Sequence, residues 1–487
     1  MKLIRFIYII SIMMITSSAL LIAAPINLYV KKEKININNK TAQVYTIQQK
    51  NKQEGFIGTV GDNFNAIIHN DTQSPLTLHW HGLIDPSKED GVPYLSQLPL
   101  MPGKTEHIKF PLVQAGTYWM HSHYQLQEGS LMSAPFIILP KKPRAIAKDA
   151  KDITVMIEDY SFKAPEAILA DLIKNSQKPM KGDSKPDLFD VKSDALLANR
   201  HTLNNPQVID VQANQKIRLR MINAASANNV YVKFPKSIIA AAIAKDGSNL
   251  KPYYGQKFQL SVASRLDFIF TVPQVKEGVF PVFIQAEGRR LRTGIIFRVG
   301  NAKLPVYSEY ANKKTKGFSY LQYYNMHPLK ALKKRPVDRT LIYNLTGKMS
   351  GYIWGINGAS WPNIKPFFIK EGQRVQMIIN NTTSMAHPMH LHGHVFQLIA
   401  INGTYINGFE GDTIDVLPHS SVTLEFDANN PGIWAFHCHL MYHLAAGMFT
   451  SINYAKVDPP QFYLNKIHMT KQQYDTWKKQ NLSTSTE

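Results

Sequence analysis

The sequence predicts an all-β protein built from three consecutive β-sandwich or barrel domains. Short runs of alternating apolar and polar residues, bounded by Gly, Pro, Asn and Asp, recur along the chain, as in FNAIIHNDT, QKIRLRMINAAS and QRVQMIINNTTS. Period-two alternation is what a strand with one buried face requires. Helical spacing is scarce, and APEAILADLIKN (164–175) is its clearest instance. The three quoted runs are also one unit met three times: a strand, an Asn turn, then a short second strand. A second block repeats with them, as AGTYWMHSHY (115–124), EGVFPVFIQA (277–286) and PGIWAFHCHL (431–440). Repetition at a spacing of about 150 residues means three copies of one β-domain.

The elements follow in order. A chain of 487 residues is too long for a single core. Residues 1–24 read as a signal peptide: Lys2 and Arg5 precede an apolar run from Phe6 to Ile22, and small residues stand at Ala19, Ala23 and Ala24. Thr16, Ser17 and Ser18 interrupt that run, which falls short of the roughly 20 apolar residues of a membrane span. Export to a periplasm or the medium is expected, with no stable span after cleavage. The first domain is placed at 25–145, the second at 146–305 and the third at 306–470 after a lysine-rich connector. Residues 471–487 are read as a polar, peripheral tail.

The net charge is +20, mostly lysine, with local runs at KKPR (141–144), KKTK (313–316) and KKR (333–335). No nucleic-acid motif accompanies it, so the positive charge is read as a solvated basic surface. Attraction to acidic substrates or an anionic face is the remaining consequence. A single cysteine permits no intrachain disulfide.

Ten of the 17 histidines fall in four clusters: His79 and His81; His121 and His123; His387, His390 and His392; His437, His439 and His443. Each cluster contains a His-x-His pair. On a strand, residues i and i+2 share a face, so each pair presents two imidazoles about 6–7 Å apart. Two pairs come from the first domain and two from the third, and the middle copy has none. Eight imidazoles facing one another across the interface of two repeats suit two or three metal ions. Imidazole favours Zn, Cu, Fe and Ni. Cys438, between His437 and His439, points to the opposite strand face and meets a different metal, with His387 and His443 left to join it. Cysteine, two histidines and a weak axial methionine, here Met448, form the ligand set of a blue-copper site.

HWHG, HSH, HPMHLHGHVF and HCHLMYHLAAGM resemble the four copper signatures of the multicopper oxidases, and the likeness covers nearly the whole mature chain. It is nearest the laccase-like and bacterial copper-resistance branch. The resemblance implies three cupredoxin-like Greek-key domains and four copper ions, one type 1, one type 2 and two type 3. By position it implies His387, Cys438, His443 and axial Met448 at type 1, and His79 and His390 at type 2. His81, His121 and His439 would hold one type 3 ion; His123, His392 and His437 would hold the other. His394 matches a family histidine that is not a ligand. Electrons would pass from the donor to type 1 and through Cys438 and its neighbours His437 and His439 to the cluster, where O2 becomes water. Asp90, in EDGVP, matches a family acid beside type 2, whereas Leu444 and Ala445 stand where a second acid is usual, so the proton path is expected to be weakened or rerouted.

The implied partners are O2 and a small reducing substrate: a phenol, an aromatic amine or Cu(I). The 17 methionines are scattered, with only Met385 and Met389 close together beyond the expected signal peptide, which favours organic donors. A cuprous oxidase for copper tolerance is the alternative. A copper-sequestering protein without turnover would not need a cluster wired to a type 1 site. No nucleic-acid partner is expected, and a monomer is.

Overall fold

The structure is a computed structural model that describes residues 24–176 and 187–483. Apart from Ala24, the expected signal peptide lies outside the described residues. Three pairs of sheets follow one another along the chain. The first pair has one four-stranded sheet ordered Lys40–Gln48, Ile26–Ile37, Asn63–Asn70, Thr105–Pro111, and another ordered Phe56–Thr59, Ser133–Leu139, Gly116–Ser122, Leu78–His81. Six- and five-stranded sheets within residues 151–299, then seven- and five-stranded sheets within residues 339–454, repeat the plan.

The repeat is exact enough to recur in strand pairing. Ile26–Ile37 lies parallel to Asn63–Asn70, Lys151–Tyr160 to Lys216–Asn223, and Arg339–Lys348 to Arg374–Asn381. In the facing sheets Phe56–Thr59 lies parallel to Ser133–Leu139, Val208–Val211 to Arg292–Val299, and Phe367–Ile369 to Phe449–Tyr454. Parallel neighbours cannot be joined by a hairpin, so each connection crosses between sheets. This is the Greek-key, cupredoxin-like sandwich, three times over.

The Asn turn seen in the sequence has a physical cause. Asn70, Asn223 and Asn381 end the central strands and are buried. Each Oδ1 accepts the backbone N–H two residues on, from Thr72 at 3.0 Å, Ala225 at 3.2 Å and Thr383 at 2.9 Å. Each Nδ2 donates across to a distant carbonyl, Leu100 at 2.8 Å, Leu260 at 3.0 Å and Val416 at 2.8 Å. One amide thus closes the turn and ties it to the opposite wall, which an ionised Asp, an acceptor only, cannot do.

Apolar strand faces fill each sandwich. In the first, Phe64 packs edge-on to Trp80 at 5.0 Å and tilts against Phe110 at 5.1 Å and Phe136 at 4.9 Å. The helix Pro165–Asn175 stands where helical spacing placed it. The tail is a correction. Lys471–Ser483 is a helix docked on the third unit, with Tyr474 fully buried against Phe368. Trp477 Nε1 donates to the Pro366 carbonyl at 2.8 Å. Tyr474 and Trp477 stand three apart, so they share a helix face that the polar average conceals. Among the described residues no helix is long and apolar enough to cross a membrane.

Candidate metal centre

Four strands deliver the side chains. Leu78–His81 pairs antiparallel with Gly116–Ser122, with His79 opposite His121. His387–Leu391 pairs antiparallel with Ile433–Cys438, with His390 opposite His437 and Met389 opposite Cys438. Alternation then puts the i and i+2 imidazoles side by side, with ring centroids 5.8 Å apart for His79 and His81, 6.0 Å for His121 and His123, and 5.5 Å for His437 and His439. His390 and His392 are closer, at 4.6 Å, because His392 lies just past the strand end.

The two strand pairs meet across the seam between the first and third units. His81 stacks on His390 at 3.7 Å, and His79 lies 4.0 Å from His392. His437 Nε2 approaches His392 Nε2 to 2.9 Å and His123 Nε2 to 3.2 Å. His81, His121 and His439 form a second triangle with centroid separations of 5.7, 5.0 and 4.9 Å. His79 and His390 face each other at 5.7 Å.

These rings are oriented from behind. His79 Nδ1–H donates to the Asp90 carbonyl at 2.7 Å, His390 Nδ1–H to the Asp412 carbonyl at 3.0 Å and His437 Nδ1–H to the Cys438 carbonyl at 2.9 Å. His121 Nδ1–H donates to the Ser122 carbonyl at 3.0 Å, and His81 Nε2–H to the Asp412 carboxylate at 3.1 Å. The opposite nitrogens of His79, His81, His121 and His390, and both nitrogens of His439, are buried without a hydrogen-bond partner. An unpartnered buried polar atom costs about 1–3 kcal/mol. Burial, helped by neighbouring imidazoles, holds His81, His121, His123, His392, His437 and His439 well below the usual histidine range. They are therefore neutral, with inward lone pairs, which is the form that binds a transition metal. The donor set fits copper.

On the other face of the same strand, Cys438 Sγ lies 3.6 Å from His387 Nδ1 and 3.7 Å from His443 Nδ1, with the two nitrogens 3.1 Å apart. All three are buried. His387 Nε2 is tied to Thr383 Oγ1 at 2.8 Å, and His443 Nε2 to Asp190 at 3.2 Å. Trp354 stacks on His443 at 4.1 Å. Met448 is fully buried; its N–H donates to the His443 carbonyl and its carbonyl accepts the Cys438 N–H, each at 3.0 Å. The short helix Met441–Ala445 makes this wrap compact. His394 is turned away and bonds the Tyr454 hydroxyl at 2.7 Å.

The Asp90 carboxylate is 3.1 Å from His79 Nδ1 and 3.0 Å from His392 Nδ1. Leu444 is half-buried and Ala445 exposed, and neither offers a carboxyl to the imidazoles. The Asp190 carboxyl beside His443 escaped the sequence reading, and so did three buried charged residues near the other imidazoles. Glu128 lies 3.3 Å from His121 Nδ1 and 3.8 Å from His439 Nδ1. Burial, and then the charge of Asp159, pushes its carboxyl well up. Asp412 receives His81 and is gripped by both terminal nitrogens of Arg265, at 2.7 and 2.6 Å. Arg265 belongs to the middle unit, so the copy without histidines still reaches the centre.

Sequence models of the multicopper oxidase family match residues 29–143, 151–302 and 334–458. Multicopper oxidase MmcO of Mycobacterium tuberculosis is 28% identical over 414 residues, covering 81% of this chain and 80% of the relative. Copper resistance protein A of Escherichia coli is 25% identical over 556 residues, covering 86% of this chain and 90% of the relative. The crystal structure of a laccase from Botrytis aclada superimposes with a TM-score of 0.72 at 20% identity, over 94% of this chain and 90% of that one. Three sandwiches, two imidazole sets joined through one cysteine, and matches along nearly all the described chain lead to one conclusion: this protein belongs to the multicopper oxidase family.

Proposed function

We propose that this protein is a laccase-like oxidase that draws single electrons from phenolic or aromatic donors and couples four of them to the reduction of O2 to two waters. The observation that carries this reading is the arrangement of Cys438 between His437 and His439, which makes two buried, metal-competent sets covalently continuous. His387, Cys438 and His443, together with Met448, would hold a type 1 copper. His79 and His390 would hold type 2, His81, His121 and His439 one type 3 ion, and His123, His392 and His437 the other. Bound copper would supply one-electron redox chemistry and O2 activation.

The protein's own groups do the rest. Carbonyls and carboxylates behind each ring fix the tautomer and aim the free nitrogen inward. Asp90 spans His79 and His392, and is the group proposed to hand protons to the centre. Asp190 joins His443 Nε2 to a cavity of about 390 Å3 whose walls include Ile168, Leu172 and Asp171. An acid over a part-apolar wall suits a phenol, whose hydroxyl donates to the carboxylate as an electron leaves. Export, domain boundaries near residues 145 and 305, and a monomeric state belong to the same proposal.

Kinship with copper resistance protein A favours a second reading, oxidation of Cu(I) for copper tolerance. O2 uptake by the copper-loaded protein with a phenol, an aromatic amine and Cu(I) as donors decides between them. Fast uptake with phenol supports the first reading, and uptake with Cu(I) alone supports the second. Four bound coppers without O2 uptake from any donor would refute both and leave sequestration.

A further inference from the structure

A cavity of about 700 Å3 opens at the seam between the first and third units, walled by residues 84–88 on one side and 430–433 on the other. Asp85 lines it. The residue is only 2% exposed, and neither carboxylate oxygen has a hydrogen-bond partner among the described residues. Its backbone is pinned, because Asn430 Nδ2 donates to the Asp85 carbonyl at 2.9 Å. The turn Ser87–Glu89 then leads directly to Asp90, which touches His79 and His392. Burial first, then the charge of Asp90, pushes the Asp85 carboxyl well above the usual carboxylate range, and Glu89 adds to it. Lys88 and Asp458 are the other charged groups on the cavity wall.

A buried carboxyl without partners is expensive unless it is neutral or meets water. A cavity this large holds water, and water can satisfy both oxygens. A structural aspartate would be bonded to protein donors, as Asp159 is to Ser226, Ala227 and Asn228. We propose that this cavity is the proton inlet of the oxidase and that Asp85 is its relay, taking a proton from cavity water and passing one on toward Asp90. Each passage leaves Asp85 unchanged; four passages supply the four protons consumed per O2. The inference rests on the oxidase reading given above. It also gives the rerouted path that the missing acid at Leu444 and Ala445 calls for, since the inlet comes from the first unit instead.

The test uses Asp85→Asn, Asp85→Glu and Val113→Trp, the last at the exposed rim of the cavity. In the metal-free protein, infrared difference spectra between wild type and Asp85→Asn should reveal the stretch of a protonated carboxyl near neutral pH. In the copper-loaded protein, Asp85→Asn should keep the blue absorption and its rate of bleaching by donor. Its O2 turnover should fall about tenfold or more, the scale of a lost proton-transfer group. The loss should deepen as pH rises and protons become scarce. Asp85→Glu should recover most of the rate, and Val113→Trp should lower it with the same pH trend. A wild-type pH profile in Asp85→Asn, or a carboxyl that ionises in the ordinary range, overturns the relay. If the wild type itself consumes no O2, the oxidase reading falls, and the infrared result still reports on Asp85.

Discussion

Asp412→Ala in the metal-free protein isolates one buried ion pair from any effect of copper. Asp412 and Arg265 are both fully buried. The carboxylate takes two guanidinium N–H groups at 2.7 and 2.6 Å, and Arg265 Nε also donates to the Thr117 carbonyl at 3.0 Å. Removing the carboxylate leaves the buried guanidinium, which does not give up its proton, facing only Asp246 at 3.7 Å. Breaking such a pair costs about 3–5 kcal/mol. At about 2–4 °C per kcal/mol for domains of this size, the melting temperature should drop by about 6–20 °C. The loss should not vary between pH 5 and 8. Burial raises the Asp412 carboxyl, but Arg265 and His390 together outweigh it and the net shift is downward. The pair's contribution is thus complete above the unfolded aspartate value of about 3.9 and fades only as pH falls further. Asp412→Leu combined with Arg265→Met should cost less than the two single changes together, since no charge is stranded. Calorimetry or circular dichroism of the five proteins reads this directly. A melting temperature for Asp412→Ala within about 2 °C of wild type, less than 1 kcal/mol on that scale, would refute the reasoning.

Cys438→Ser should abolish the blue absorption and turnover while the protein still binds copper at the remaining imidazoles; metal analysis and electron paramagnetic resonance check this, and surviving blue colour would sink the assignment. Asp90→Asn should slow O2 reduction and change its pH profile; an unchanged profile would remove Asp90 from proton transfer. The buried histidines carry a pH prediction. Their values lie below the unfolded value of about 6.5, so the unfolded chain takes up protons first as pH falls. The metal-free melting temperature should therefore decline from about pH 6.5 downward. Copper loading should raise the whole curve, and a flat metal-free curve would contradict the neutral imidazoles.

The imidazole sets were legible because strand alternation turns a His-x-His spacing into geometry. The opposite orientation of Cys438 follows from the same rule, and its Sγ lies beside His387 and His443. Repeated Asn-ended strands likewise announced three copies of one sandwich. Glu128, Asp412 and Arg265 were not legible, because each acts through tertiary contact. His81 meets Asp412 across 331 residues, and Arg265 meets it across 147. No local spacing encodes such pairs. The tail was misjudged because a helix docks through one face, and average polarity ignores where Tyr474 and Trp477 point.

His123 and His437 touch although 314 residues separate them. With a single cysteine, this chain cannot staple itself by a disulfide. A metal ion held between those two rings would do the same job, closing a loop worth about 5–6 kcal/mol on the chain-entropy relation. Loaded protein should then survive a protease nick in the exposed connector between the second and third units, its ends held by the ion, while metal-free protein nicked there should come apart.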